Sequence, residues 1–276
     1  MKKILLYIIV PAFILGSCEL FDNIDTGLSD EDIVNGLKTA LEVGTDSSSS
    51  TLSALNGYYM GDPVHVKIPL PSEVESIRSL INSNGTLANV SSVIGLESAF
   101  ENVIASVNHA AEDAAKSAAP IFKDAITHLT ISQGLDILNG QVPEGSGMKS
   151  ADFDSTAATQ YLKLETTTKL TDEFAPKIDL SLDKDLVGGI SATEAWNSMT
   201  GLYNSFLGNS TVITAITIAN IGGANINLPS GITTDIGVFA TERALNGLFY
   251  LVGNEEIKIR RDPFQWAIDI LQKVFG

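Results

Sequence analysis

Several residue types are scarce in this chain, and each shortage removes a class of function. Its 276 residues include one cysteine, three histidines and two tryptophans, and 17 basic residues face 33 acidic ones. The lone Cys18 cannot close a disulfide within the chain. His65, His109 and His128 are scattered, and a serine-hydrolase relay needs a base beside its nucleophile. A formal charge of −16 repels nucleic acid and anionic lipid headgroups, so nucleic acid is not expected as a partner. There is no Gly-x-Ser-x-Gly elbow, no Walker phosphate loop and no dinucleotide fingerprint. An Asp-x-Asp-x-Asp-Gly calcium loop is also missing, since Asp22, Asp25 and Gly27 have the wrong spacing. No internal repeat of about 20–50 residues occurs. After the first few residues no second long apolar run follows, so no later transmembrane helix is expected.

What is present begins with Lys2 and Lys3 and an apolar run over residues 4–15. That run is about twelve residues, against roughly twenty needed to span hydrocarbon, and Pro11 interrupts it. It ends in Leu15-Gly16-Ser17-Cys18, which resembles the bacterial lipobox. Small residues let an extended backbone enter a peptidase site, and the Cys18 sulfur can accept a diacylglyceryl group as a thioether. The resemblance implies cleavage between Ser17 and Cys18 and acylation of the new amino terminus. One acyl chain binds marginally, at about 0.8 kcal/mol per buried methylene, and two or three hold essentially permanently. Residues 1–17 are therefore expected to be a lipoprotein signal and residues 18–27 an acylated cysteine with a tether. The alternatives are a secretory signal with an incidental cysteine, or an uncleaved anchor. Glu19 follows the cysteine, where Asp would be the inner-membrane retention signal of some enteric bacteria. An outer-membrane address in a bacterial envelope is expected, facing either the periplasm or the exterior. The lipid would be the only attached group, and no other cofactor is expected. Loss of two lysines and no acid would leave the remainder more acidic still.

Residues 28–276 are expected to form one all-α domain of about nine to eleven helices. Ser29, followed by Asp30, Glu31 and Asp32, starts a helix with the stripe Ile33, Leu37 and Leu41, and Gly44 is a plausible stop. The Ser-rich residues 46–53 read as a loop, although Leu52 and Leu55 keep helical spacing. Val64, Val66, Ile68 and Leu70 alternate, and Pro69 and Pro71 keep that extended segment out of a sheet interior. Ser72-x-x-Glu75 and Ser191-x-x-Glu194 read as capping boxes, and Asn84-Gly85 as a turn. Val93, Leu96, Phe100, Val103, Val107, Ala110 and Ala114 form one seam, which predicts a central helix over residues 91–117. Pro120 restarts the chain, and Asn139-Gly140 ends a short helix. Residues 141–153, rich in Gly, Pro and Ser, are expected to be an exposed loop. Two helices follow, the second capped by Thr171, and residues 183–189 read as a loop. The uncharged residues 209–231 permit a β-hairpin, a short helix from Thr211 or an irregular apolar loop. A long helix from Thr233 carries Glu256 and Arg260 as an i,i+4 pair on its wet face, and Asp262-Pro263 restarts the last one.

The chain resembles a bacterial family of uncharacterised exported proteins, domain of unknown function 4197. The likeness rests on Leu28-Ser29 through residue 44, Ile68-Pro69-Leu70-Pro71, Ala110-Ala111-Glu112, and Ile121-Phe122 through residue 126. It continues in Thr130-Ile131, Ile137-Leu138-Asn139-Gly140, Ala157-Ala158-Thr159-x-Tyr161 and Ala244-Leu245-x-Gly247-Leu248-Phe249. Glu255-Glu256-x-x-Ile259-Arg260 and Lys273-Val274-Phe275-Gly276 complete it. His109, where the family carries Arg, and the long stretch 209–231 depart from it. The resemblance implies a helical domain and brings no activity and no functional residues.

Candidate sites are few. His109 and Glu112, three apart on one helix, share a face and make a weak metal candidate. A di-metal bundle needs two copies of Glu-x-x-His, which are missing, and the family's Arg at 109 suggests an ion-pair position instead. Trp196, Tyr203 and Trp266 could line a sugar or lipid pocket, but at helical spacing among Leu and Ile they read as core. The expected function is a non-enzymatic, lipid-anchored binding module for an envelope protein or ligand. Two alternatives stand: a carrier of an apolar ligand in an inter-helix cavity with residues 209–231 as lid, or a hydrolase using two carboxylates.

Overall fold

A computed structural model describes residues 27–142 and 153–276. The expected lipidation and cleavage positions, Cys18 and Ser17, lie outside the described residues, as does most of the loop expected at 141–153. Among the described residues there are eleven α-helices and one two-stranded hairpin.

The frame is three long helices. α1 (Asp30–Leu52) starts at Ser29, whose hydroxyl accepts from the Asp32 amide while Asp32 reaches back to the Ser29 amide. It does not stop at Gly44. Val252's carbonyl oxygen lies 3.2 Å from where a Cβ on Gly44 would sit, so this glycine permits a close helix crossing. Thr45, Ser48 and Ser49 behind it are buried rather than looped out, and the Ser49 hydroxyl donates to the Ala115 carbonyl at 2.7 Å.

The partner in that crossing is α10 (Ile236–Arg261), capped by the Asp235 side chain. It runs antiparallel to α1, with Gly44 near Val252 and Ala40 near Ile259. On its other flank lies α7 (Ala157–Leu182), one continuous helix that passes through Thr171 and contains Pro176. The two expected helices are thus one, because packing against α10 continues past the proline. That contact runs antiparallel from Gly253 beside Thr156 to Gly237 beside Asp179.

The apolar seam is split between two helices. α3 (Gly85–Ile94) and α4 (Leu96–Ala115) meet at a 66° bend on Gly95, whose φ is +82°. A left-handed residue cannot continue a helix, and glycine adopts it without strain. Leu96, Phe100, Val103, Val107, Ala110 and Ala114 are buried as the seam requires, and Val93, beyond the bend, is 87% exposed. Asn84 caps α3 instead of making a free turn. α2 (Ser72–Asn82) forms where expected, but its cap position is Pro71 and Ser72 lies inside, so that capping box does not form. α5 (Ala118–His128) and α6 (Gly134–Leu138) close on α1 and α7.

The only strands among the described residues are β1 (Asp185–Val187) and β2 (Ile190–Ser191), where a loop was expected. Gly188 and Gly189 make the turn, both at positive φ. Ser191 and Glu194 form the second capping box and start α8 (Ala192–Leu207). Of the readings open for residues 209–231, the helix occurs: α9 (Ser210–Ile221), capped by Asn209, followed by an irregular tail. A 3-10 turn, Pro263–Gln265, leads into α11 (Asp269–Phe275), which packs on α1.

No single helix among the described residues is long and apolar enough to cross a membrane.

Candidate functional site

Among the described residues two carboxylates are buried, and both hold the fold. The first belongs to the weak metal candidate. His109 and Glu112 do meet, with Nδ1 facing Oε2 at 2.8 Å, and both are buried. The other Glu112 oxygen accepts the backbone N–H groups of Tyr58 and Tyr59 at 3.1 and 3.0 Å. The Tyr59 ring covers His109 at 5.3 Å. Glu112 is therefore occupied in tying the loop after α1 to α4. No group of three or more His, Cys, Asp or Glu placed to hold a metal occurs among the described residues.

The second is Glu256, 1% exposed, which accepts from the Ala158 and Thr159 amides, the Thr159 hydroxyl and Arg260. Arg260 also donates to the carbonyls of Leu138 and Ile137. The pair expected on a wet face is thus internal. Its carboxylate caps the start of α7, and its guanidinium closes the end of α6, so charges and helix ends satisfy one another.

The loop that Glu112 holds goes on to build an open cleft. The Tyr58 hydroxyl donates to the Ala244 carbonyl at 2.8 Å. Asp62 accepts the Val64 and His65 amides, both at 2.9 Å, and faces His65 Nδ1 at 3.1 Å. Those two amides, His65's first, hold the Asp62 carboxyl below its usual range. The His65 ring then stacks on Tyr250 with centroids 4.3 Å apart and planes 9° from parallel. Beyond it, Asn108 from α4 accepts the Ile68 N–H and donates to the Ile68 carbonyl, both at 2.8 Å. This pairing imitates a strand neighbour at Ile68, whereas residues 63–66, expected to be extended, form a turn closed by the Val66 and Lys67 amides on the Asp62 carbonyl.

The cleft measures about 320 Å³. Its walls are Thr159, Gln160 and Lys163 from α7, Arg243, Asn246, Phe249 and Tyr250 from α10, and Val64 and His65 from the loop. Lys163 donates to the Asn246 side-chain carbonyl at 3.0 Å and stands 5.7 Å from the Phe249 ring centroid. Arg243 lies 5.4 Å from the Phe239 ring. No carboxylate lines the cleft, and neither cation has one as a partner among the described residues. Elsewhere cations differ: Lys38 donates to the Thr127 carbonyl and Lys67 lies over the Tyr59 ring, whereas others meet carboxylates. Arg78 bonds Glu97 and Glu101, Lys116 and Lys184 share Asp113, and Lys273 bonds Asp32.

A second, more apolar space of about 440 Å³ lies between α9 and the start of α3, lined by Thr86, Thr214, Ala215 and Ile218 among others. It is an open groove on the surface. α9 buries only Val212 and exposes Ile213, Ile218 and Ile221. The tail behind it is tied down. Asn220 bonds both the N–H and the carbonyl of Ile226, the Tyr203 hydroxyl donates to the Pro229 carbonyl, and Glu73 accepts from the amides and hydroxyls of both Thr233 and Thr234. Trp196 and Tyr203 are core, and Trp266 is half-buried against Ala40, Ile259 and Leu271. A third cleft, about 250 Å³, has two carboxylates, Asp30 and Asp136, on its rim. Both are exposed in the first turns of α1 and α6, where acids complement the helix dipole.

The family pattern matches residues 27–276, which takes in every described residue. The chain belongs to the family of proteins of unknown function DUF4197. No curated protein and no solved structure matches it. Within this DUF4197 domain the residues that gather at the cleft lie far apart in the chain, and no motif joins them. One local cue exists: Lys163 and Arg243 sit on helices with no Asp or Glu three or four positions away.

Proposed function

We propose that this DUF4197 protein is a lipid-anchored component of the bacterial envelope, with outer-membrane address, whose helical body binds a ligand without transforming it. The anchoring half rests on Lys2, Lys3, the short apolar run and Leu15-Gly16-Ser17-Cys18. The binding half is carried by one observation: the cleft between α7 and α10 presents unpaired cations and aromatic walls on an otherwise acid-dominated chain. No histidine among the described residues is bonded to a serine or threonine hydroxyl there or elsewhere.

The anchor is tested by Cys18→Ser with fractionation and labelled palmitate. Loss of label and release from the envelope fraction are expected, and an unchanged variant overturns the address. The binding role is tested by native mass spectrometry of the protein from its own membranes, which should carry a ligand adduct that a Lys163→Gln, Arg243→Gln double variant lacks.

A second reading is favoured by α9: an apolar ligand held in the groove against Thr86 and Ile218. An adduct of lipid mass that survives the cleft substitutions but is lost on Ile218→Asp would select it.

A further inference from the structure

We infer that the cleft between α7 and α10 takes a small organic phosphate, its oxyanion held by Lys163 and Arg243 and its planar or apolar body lying against Phe249 and Tyr250. This rests on the binding reading above and names the ligand class for that site. Four observations carry it.

The first is charge. Lys163 from α7 and Arg243 from α10 both line one cleft that no carboxylate lines. Two basic side chains on a cleft without acids favour an anion there over a cation or a neutral ligand. A phosphate monoester carries about −1.5 to −2 charges at neutral pH. The guanidinium supplies a planar fork matched to two phosphate oxygens, and the ammonium a compact third donor.

The second is the walls. Phe249 is buried with its ring near Lys163, and Tyr250 is backed by the parallel His65 ring. Such surfaces accept a flat or apolar ligand body, while Gln160 and Asn246 offer neutral polar groups that set its orientation.

The third is size. At about 320 Å³ the cleft lies at the lower end of the roughly 300–1,000 Å³ of small-molecule sites. It suits a compact ester or a headgroup and is too small for an extended polymer. The net charge of −16 opposes a polyanion through its long-range field. A compact anion seated beside its counter-charges feels the distant acids weakly, because salt screens beyond about 10 Å at 0.1 M.

The fourth is preorganisation. The wall carrying His65 is pinned by Asp62, by Glu112 through the Tyr58 and Tyr59 amides, and by the Tyr58 hydroxyl on α10. His65 Nδ1 is held by Asp62, and Nε2 has no partner among the described residues. A site built before its ligand arrives loses less free energy to ordering.

The phosphate could belong to a soluble ester or to a lipid headgroup, and the experiment separates them. Calorimetric titration of the full chain would use phenyl phosphate, dihexanoyl phosphatidic acid below its micellar concentration, and phenol as neutral control. Phenyl phosphate is expected to bind, phenol not. Lys163→Gln and Arg243→Gln should each weaken binding at least tenfold, and Lys177→Gln, on α7 away from the cleft, should leave it unchanged. Binding of phosphatidic acid alone, with the same sensitivity to both variants, assigns the headgroup. No binding of either phosphate in the millimolar range, or binding indifferent to both variants, overturns the inference. The wild-type chain gives a second measurement, since His65 ring resonances should shift on titration, and unmoved resonances at saturation also overturn it. A null result here beside some other cleft-dependent adduct in native mass spectrometry removes the phosphate and leaves the binding reading standing.

Discussion

The two buried carboxylates and the cleft cations are charged groups a short distance apart, held in opposite ways. Glu256 and Glu112 have every oxygen bonded to an amide, a hydroxyl, a guanidinium or an imidazole. Each joins segments remote in sequence: α7, α10 and α6 in one case, α4 and the loop after α1 in the other. Lys163, half-buried, and Arg243, exposed, have no carboxylate partner among the described residues. A buried charge survives only if its surroundings satisfy it, and removing one partner leaves an uncompensated group. An exposed cation has no such requirement, and what sets Lys163 and Arg243 apart is that both line one cleft that no carboxylate lines. The comparison separates groups that build the domain from groups the domain displays.

That contrast can be broken by substitution, and the largest effect belongs to Glu256. Glu256→Ala leaves Arg260 buried without its carboxylate and should cost about 3–5 kcal/mol in urea unfolding. A loss below about 1 kcal/mol would show the pair to be dispensable.

Glu112→Ala comes next, at about 1–3 kcal/mol, because two amides lose their acceptor. Hydrogen exchange at the Tyr58 and Tyr59 amides should accelerate with it. The same substitution should loosen His65 from Tyr250, so its effect reaches the cleft through the loop.

Acid offers a milder perturbation. The Lys273 bond and the Ser29 bonds hold the Asp32 carboxyl at about 2, below its ordinary 3.8. Burial alone would raise Asp113, but Lys116, Lys184 and Ser181 outweigh it and bring it to about 2. Both folded values lie below the unfolded one, so their stabilisation is complete above about pH 4 and is lost as pH falls toward 2. The melting temperature should decline across that window, and Asp113→Asn should make the decline shallower. A flat profile there would contradict the assignment.

The smallest change in stability is expected at the cleft. Lys163→Gln and Arg243→Gln should each shift unfolding by no more than about 0.5 kcal/mol, since neither breaks an ion pair. A larger loss would make them structural and erase the contrast with Glu256.

Much of the helical frame was legible residue by residue. Ser29 and Ser191 announce their helices through capping chemistry complete within four residues, and Gly140 ends one by backbone freedom. The seam from Leu96 to Ala114 reads correctly because helical period and burial coincide. Gly95 was harder to read. In the pattern alone it falls within a continuous stripe, and only its left-handed conformation reveals two helices. Gly44 misleads in the other direction: a residue that often ends helices here lets α1 approach α10. The uncharged residues 209–231 allow several conformations, and the helix is selected by caps and clamps from Asn209, Tyr203 and Glu73, the last far away in the chain.

From its sequence alone the protein's helical class, its acidic character and the capped starts of α1 and α8 follow, because periodicity, caps and net charge act over a few residues or over the whole composition. The meeting of His109 with Glu112 follows for the same reason, since three positions on a helix are one turn. What their contact is for, where Glu256 and Arg260 lie, and why Lys163, Arg243 and His65 share a cleft were decided only when α7, α10 and α4 packed together. Partners about a hundred residues apart are bound to each other by burial and hydrogen bonding, and neither is encoded at any fixed spacing.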